Sequence, residues 1–212
     1  MKTAEGREQP IVFVIDDDDS LRETLKNLFG MVGLRAETFA KPAEFMNRKL
    51  PDVPACIVLD IRLPGMSGLE LQTELATADI RIPIIFMTGH GDIPMTVRAM
   101  KAGAAEFLPK PFRDQDMLDA VQLALKRDQI RREAEQADGQ FRRNFERLSS
   151  REREVMALVA AGFMNKQIAF QLGLAEVTVK LHRGNLMRKM GAQSVAELAR
   201  MAQILGITGP KP

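Results

Sequence analysis

Three continuous apolar runs, each stopping at a polar residue, constrain this chain most. Ile11 to Ile15 runs into Asp16 and Asp17, Ala55 to Leu59 into Asp60, and Pro83 to Met87 into Thr88. Apolar runs of ~4–8 residues suit strands buried on both faces of a parallel sheet. Ala105 to Leu108 adds a fourth, shorter run and Arg35 to Phe39 a weaker fifth. Helical patterns separate them: Leu21, Leu25, Leu28 and Phe29; Leu69, Leu71 and Leu75; Val97 and Met100; Leu118, Val121 and Leu125. Strand and helix alternating through short loops predict a doubly wound, five-stranded parallel α/β domain.

In such a sheet ligands bind beyond the carboxyl ends of the strands. Asp16, Asp17 and Asp60 fall at that edge, with Thr88 ending the next strand and Lys110 following the last. Carboxylates gathered there repel one another unless a cation joins them, and a shallow set of oxygen ligands suits Mg²⁺. Carboxylates, a cation site, a hydroxyl and an ammonium on one edge can place a phosphoryl group on a carboxylate and hold it there. Each part alone has a plainer meaning: Thr88 as a strand residue, Lys110 as a surface lysine, Cys56 as a small buried hydrophobe. Asp18 and Asp19 suit the start of a helix.

These residues, in this order, resemble the receiver domain of two-component response regulators. Asp16-Asp17, Asp60 within VLDIRLPGMSGLEL, Thr88 within FMTGHGD, and Lys110-Pro111 within FLPKPF carry the resemblance, over about residues 9–128. It implies that Asp60 is the phosphoacceptor. It implies that Asp17, Asp60 and the backbone carbonyl of Arg62 ligate Mg²⁺, with Asp16 acting largely through water. Lys110 and Thr88 would hold phosphoryl oxygens, Phe107 would be the switch aromatic, and the Lys110–Pro111 peptide would be cis. A phosphoryl group adds about −1.5 to −2 charge. Thr88 would move toward it and Phe107 would turn into the space left, biasing two pre-existing states. His90, two residues past Thr88, reads as a loop residue.

From Asp116 to about Phe145 the chain reads as a proline-free helix, with Gly139 its weak point and a charged middle. Two readings stay open here: the last receiver helix running on as a linker, placed at 129–146, or a flexible solvated segment. Beyond Leu148 the pattern is all-α, with a second domain at 147–209. Ser149 or Ser150 caps a first helix, Asn165 a short second one, and Ser194 a fourth, while Gly162 and Gly173 end the first two. The third helix, about Glu176 to Met190, points Val179, His182, Leu186 and Met190 to the core. Helix, turn, short helix, turn and a longer basic helix form a helix-turn-helix pattern. Thr178, Lys180, Leu181, Arg183, Gly184, Asn185 and Arg188, with Lys166 on the short helix, are the candidate contacts to duplex DNA.

The net charge of +2 hides an asymmetry that fits this division. Residues 1–125 carry 14 basic and 19 acidic side chains, and residues 148–212 carry 9 and 4. An acidic module is joined to a polyanion-binding one. The second segment resembles the LuxR-type output domain over about residues 146–208, and the pair resembles the NarL/FixJ response regulators. Arg183-Gly184-Asn185 and the extended linker bring it nearer the FixJ branch. Ala175 departs from the family by lacking a Ser or Thr cap, and Gly184 by placing a glycine within the recognition helix. The partners implied are a sensor histidine kinase, double-stranded DNA, RNA polymerase and a second copy of the chain once phosphorylated.

Other classes read less well. An aspartyl-phosphate phosphotransferase or phosphatase would carry a cap insertion or second substrate-binding segment, and none is visible in about 120 residues. The helix-turn-helix spacing argues against an output that binds RNA or protein. A single cysteine, Cys56, excludes a disulfide framework or a cysteine-rich zinc site, and the absence of Trp and Tyr weakens any stacking platform. The longest apolar run, Val155 to Met164, is about half a membrane span, and a charged N-terminus shows no signal peptide. Together these imply a reducing cytoplasm.

Overall fold

The computed structural model describes residues 9–89, 93–207 and 209. It divides into two compact units, Met1–Arg132 and Glu133–Pro212.

In the first unit β1 (Ile11–Ile15), β2 (Arg35–Phe39), β3 (Ala55–Asp60), β4 (Ile84–Thr88) and β5 (Glu106–Pro109) pair in parallel, in the order β2-β1-β3-β4-β5. The apolar runs are continuous because both faces are covered. Phe13, Ile15, Ile57, Leu59 and Phe86 line one face, and Val12, Val14, Cys56, Val58, Ile85 and Met87 the other. On the first face lie Leu71 and Leu75 of α3 (Gly68–Thr77) and Ala99 of α4 (Ile93–Lys101), numbered after α1 (Asp19–Met31) and α2 (Pro42–Met46). On the second face lie Leu25, Leu28 and Phe29 of α1, with Met117, Val121 and Ala124 of α5 (Asp114–Glu146).

Two details depart from the sequence reading. Five-residue α2 is too short for a 3.6-residue period to show, yet it seats Phe45 edge-on against Phe13 and Phe39, with ring centroids 5.2 and 5.6 Å away. On α4 it is Ala99 that is buried, while Val97 and Met100 are exposed, so the apolar spacing read there marks a surface.

The charged segment after the receiver is helical throughout. α5 has 33 residues, about 50 Å at 1.5 Å per residue. Gly139 does not break it, and a Cβ there would meet only Arg143 Nη1 at 3.5 Å. Met117, Val121, Ala124 and Asp128 continue one buried stripe, and from Gln129 to Arg147 no residue is buried.

The second unit holds α6 (Ser150–Ala160), α7 (Asn165–Leu172), α8 (Glu176–Met190) and α9 (Val195–Ile204) around Val155, Val159, Ile168, Val179, Leu186 and Leu198, with Phe141 and Phe145 of α5 packed on the same core. Ser149 caps α6 in a capping box with Glu152, and Ser194 caps α9. Gly173 turns the chain between α7 and α8 at φ 62°, where a side chain would be strained. Asn165 is not a cap. Met164 takes the extended cap conformation, and Asn165 is the first residue inside α7. Among the described residues no helix is long and apolar enough to cross a membrane.

Candidate functional site

Strand register alone brings the acidic residues together. Ile15 pairs with Leu59, so Asp16 and Asp60 leave neighbouring strands side by side. Thr88 lies opposite Pro109, so Lys110 emerges beside them, its amide donating to the Thr88 carbonyl at 2.6 Å. Lys110 Nζ donates to Asp16 Oδ2 at 2.7 Å and to Asp60 Oδ2 at 2.8 Å. The other oxygens are used as well: Asp16 Oδ1 accepts the Asp18 amide at 2.9 Å, and Asp60 Oδ1 accepts the Arg62 amide at 3.2 Å. The Lys110–Pro111 peptide is cis.

One ammonium cannot balance three carboxylates. Ligand oxygens of Asp16, Asp17 and Asp60 lie within 4.8 Å of one another, with Asp16 and Asp60 buried and Asp17 exposed. Burial pushes the Asp16 carboxyl above its ordinary value, and Asp60 adds to the rise, although Lys110 and the Asp18 amide oppose it. Burial also works against the charge on Lys110, but hydrogen bonds to Asp16 and Asp60 outweigh it and hold the ammonium above its ordinary value. A hard, oxygen-only donor set left with excess negative charge fits Mg²⁺. Thr88 is 1% exposed at the same edge, and Phe107 is half-buried against the core face that carries Phe86. His90 lies outside the described residues.

Gly68, which the sequence reading left unremarked, shapes this site without chemistry. Its amide donates to Ile61 O at 2.9 Å, and a Cβ on it would sit 2.5 Å from the Asp60 carbonyl oxygen. Only glycine lets α3 start this close to the strand end. The signal was the glycine at N1, right after a capping serine: Ser67 and Glu70 close a capping box there.

In the second unit the outer side of α8 carries Lys180, Leu181 and Arg188 exposed, with Asn185 accepting from Arg188 Nη2 at 3.0 Å. Gly184 leaves a gap in this surface, since a Cβ there meets nothing within 4 Å. Thr178 is half-buried, and Lys166 on α7 is exposed. Arg183 turns from the outer face toward α7, donating to Asn165 Oδ1 at 2.9 Å and tying the two helices together. Val177 is 73% exposed on the same side of α8, one turn before Leu181, and the sequence reading missed it. Lys189 is not part of this surface, because its Nζ donates to Glu152 Oε2 at 2.7 Å.

Comparison with known proteins agrees with both halves. Residues 12–122 match the response regulator receiver domain family, and residues 146–202 the luxR family of bacterial regulatory proteins. Nodulation protein W of Bradyrhizobium diazoefficiens is 57% identical over 204 residues, covering 96% of this chain and 90% of that protein. The transcriptional regulatory protein FixJ of Azorhizobium caulinodans is 43% identical over 196 residues, covering 92% and 93%. The solved structure of response regulator StyR superposes with a TM-score of 0.82 at 50% identity, covering 92% of this chain and 99% of that one.

Proposed function

The chain belongs to the two-component response regulators, in the FixJ-like branch with a LuxR-type DNA-binding output, and from that premise we propose that Asp60 is the residue through which phosphorylation switches it. The observation that carries this is Lys110 bridging Asp16 and Asp60 at the carboxyl edge of the sheet. An Asp60 oxygen attacks the phosphorus of a phosphohistidine on a sensor kinase, forming a P–O bond as the P–N bond breaks. Lys110, already against Asp60, pairs with an incoming phosphoryl oxygen, and the Thr88 hydroxyl donates to another. Asp16, Asp17, Asp60 and the Arg62 carbonyl would hold Mg²⁺, which when bound screens the carboxylates from the anionic donor. The same site returns to rest by hydrolysis of the acyl phosphate. The chain is a transcription regulator, not a classical enzyme.

Phe107 turning into the space left by Thr88 couples the site to α4. The exposed Val97 and Met100 on α4 give a face on which two phosphorylated receivers pair. In this reading residues 9–128 are the receiver, 129–146 the linker and 147–209 the output domain, acting in the cytoplasm. α8 enters the major groove with Lys180, Leu181, Gly184, Asn185 and Arg188 toward the bases, Thr178, Arg183 and Lys166 supporting, and the bound dimer engages RNA polymerase. The test is duplex affinity with and without a phosphoryl mimic. Wild type should bind more tightly with the mimic and Asp60→Asn should not respond; equal affinities throughout would sink the switch.

A further inference from the structure

Asp128 is a buried acid that the phosphoryl switch does not use. It is 0% exposed and stands in line with Met117, Val121 and Ala124, where an apolar residue would serve the core. Its carboxylate accepts from the Ala55 amide at 2.9 Å, from Arg131 through Nη2 at 2.6 Å and Nε at 3.2 Å, and from Arg132 Nε at 2.7 Å. Arg132 reaches on to Asp52 at 2.7 Å. Replacing a compensated buried ion pair by apolar residues of similar shape is often neutral or stabilising, so stability does not explain it, and fixing a register is the best attested use.

Its position says which register. Ala55 opens β3, the strand that ends at Asp60. Asp128 is the last buried residue of α5, and Arg132 is the last residue of the first compact unit. One carboxylate therefore ties the start of the phosphoacceptor strand to the final held turn of the helix. Apolar packing fixes how closely a helix lies on a sheet but leaves it room to slide and roll. Hydrogen bonds from a backbone amide and two guanidinium groups fix both.

We propose that Asp128 is a positioning residue that registers α5 on β3, so that rearrangement of the phosphorylated receiver is carried past Arg132 instead of being lost as slip of the helix. This rests on the phosphoryl-switch reading above. The test uses the full chain as wild type, Asp128→Asn and Arg132→Gln. Asp60 phosphorylation by acetyl phosphate is followed by intact mass. Affinity for a duplex selected by the wild type is measured with and without beryllofluoride. Asp128→Asn should phosphorylate at the wild-type rate, yet its ratio of activated to resting affinity should fall about tenfold. Arg132→Gln, which leaves Asp128 with Arg131, should show a smaller fall. A merely structural role would lower both affinities together and leave the ratio intact, and that result overturns the proposal. If Asp128→Asn fails to fold by circular dichroism, an unchanged ratio in Arg132→Gln overturns it equally. A wild type that does not respond to beryllofluoride overturns the switch itself and this inference with it, and is told apart by appearing before any substitution is made.

Discussion

In the receiver, Lys110 Nζ lies 2.7 Å from Asp16; in the output unit, Lys189 Nζ lies the same 2.7 Å from Glu152. Both carboxylates are buried. Their titration nevertheless moves in opposite directions. Burial wins at Asp16, which is held above its ordinary value. At Glu152 burial is outweighed by Lys189 and by Ser149, whose amide donates at 2.7 Å, and the carboxyl is held below its ordinary value. The neighbours make the difference. Glu152 sits at a helix N-terminus, where backbone amides favour an anion, whereas Asp16 shares its single lysine with Asp60. The output unit has a finished ion pair. The receiver keeps a cluster short of positive charge, and that shortage is what a bound cation can answer.

The contrast breaks most readily on substitution. Glu152→Ala removes the Lys189 contact and half of a capping box together and should lower stability by about 2–3 kcal/mol in thermal unfolding. Asp16→Asn, which relieves a strained charge, should stay within about 1 kcal/mol of wild type in metal-free protein; a loss as large as that of Glu152→Ala would end the distinction. Similar in size to the Glu152→Ala loss is the effect of Mg²⁺. At a hundredfold over its Kd it should stabilise the receiver by about 2.7 kcal/mol, with no gain for the output unit and a weakened gain in Asp16→Asn. Acid sharpens the comparison from the other side. A carboxyl depressed in the native state contributes stability above its unfolded value, ordinarily 4.5, and that contribution is lost as pH falls through the native value. Methyl signals of Val155 and Leu186 should therefore report an acid-induced loss in wild type that is shallower in Glu152→Gln. Smallest is Ala175→Ser. The α8 N-terminus has no side-chain cap, so a hydroxyl there should add about 1 kcal/mol to the output unit and leave phosphorylation untouched.

The receiver's strands and the edge that holds its candidate site were legible because parallel strands must be apolar inside and must stop somewhere. A run such as Ala55 to Leu59 followed by Asp60 states both the strand and the end at which the carboxylates gather. α8 was equally plain, from Glu176 to Met190. What escaped depended on tertiary partners. Asn165 has the right side chain for a cap, but the extended backbone falls on Met164 and the amide turns to Arg183. Asp128 passed as one charge in a charged stretch, although it falls four residues after Ala124 on the buried face, with arginines three and four residues on. A charge on an apolar stripe was the available signal. Val97 and Met100 keep helical spacing yet face outward, because α4 meets the sheet core through the small Ala99 and through Met95.

Gly68 extends the map of damaging substitutions beyond residues with functional groups. With its would-be Cβ 2.5 Å from the Asp60 carbonyl, any other residue must displace either α3 or the strand end. A misplacement of about 1 Å at a reacting group can cost on the order of a hundredfold in rate. A mutational scan of this chain should therefore find, eight positions beyond Asp60, a residue with no side chain among the most intolerant of all, silencing the regulator by shape while every carboxylate, lysine and hydroxyl remains in place.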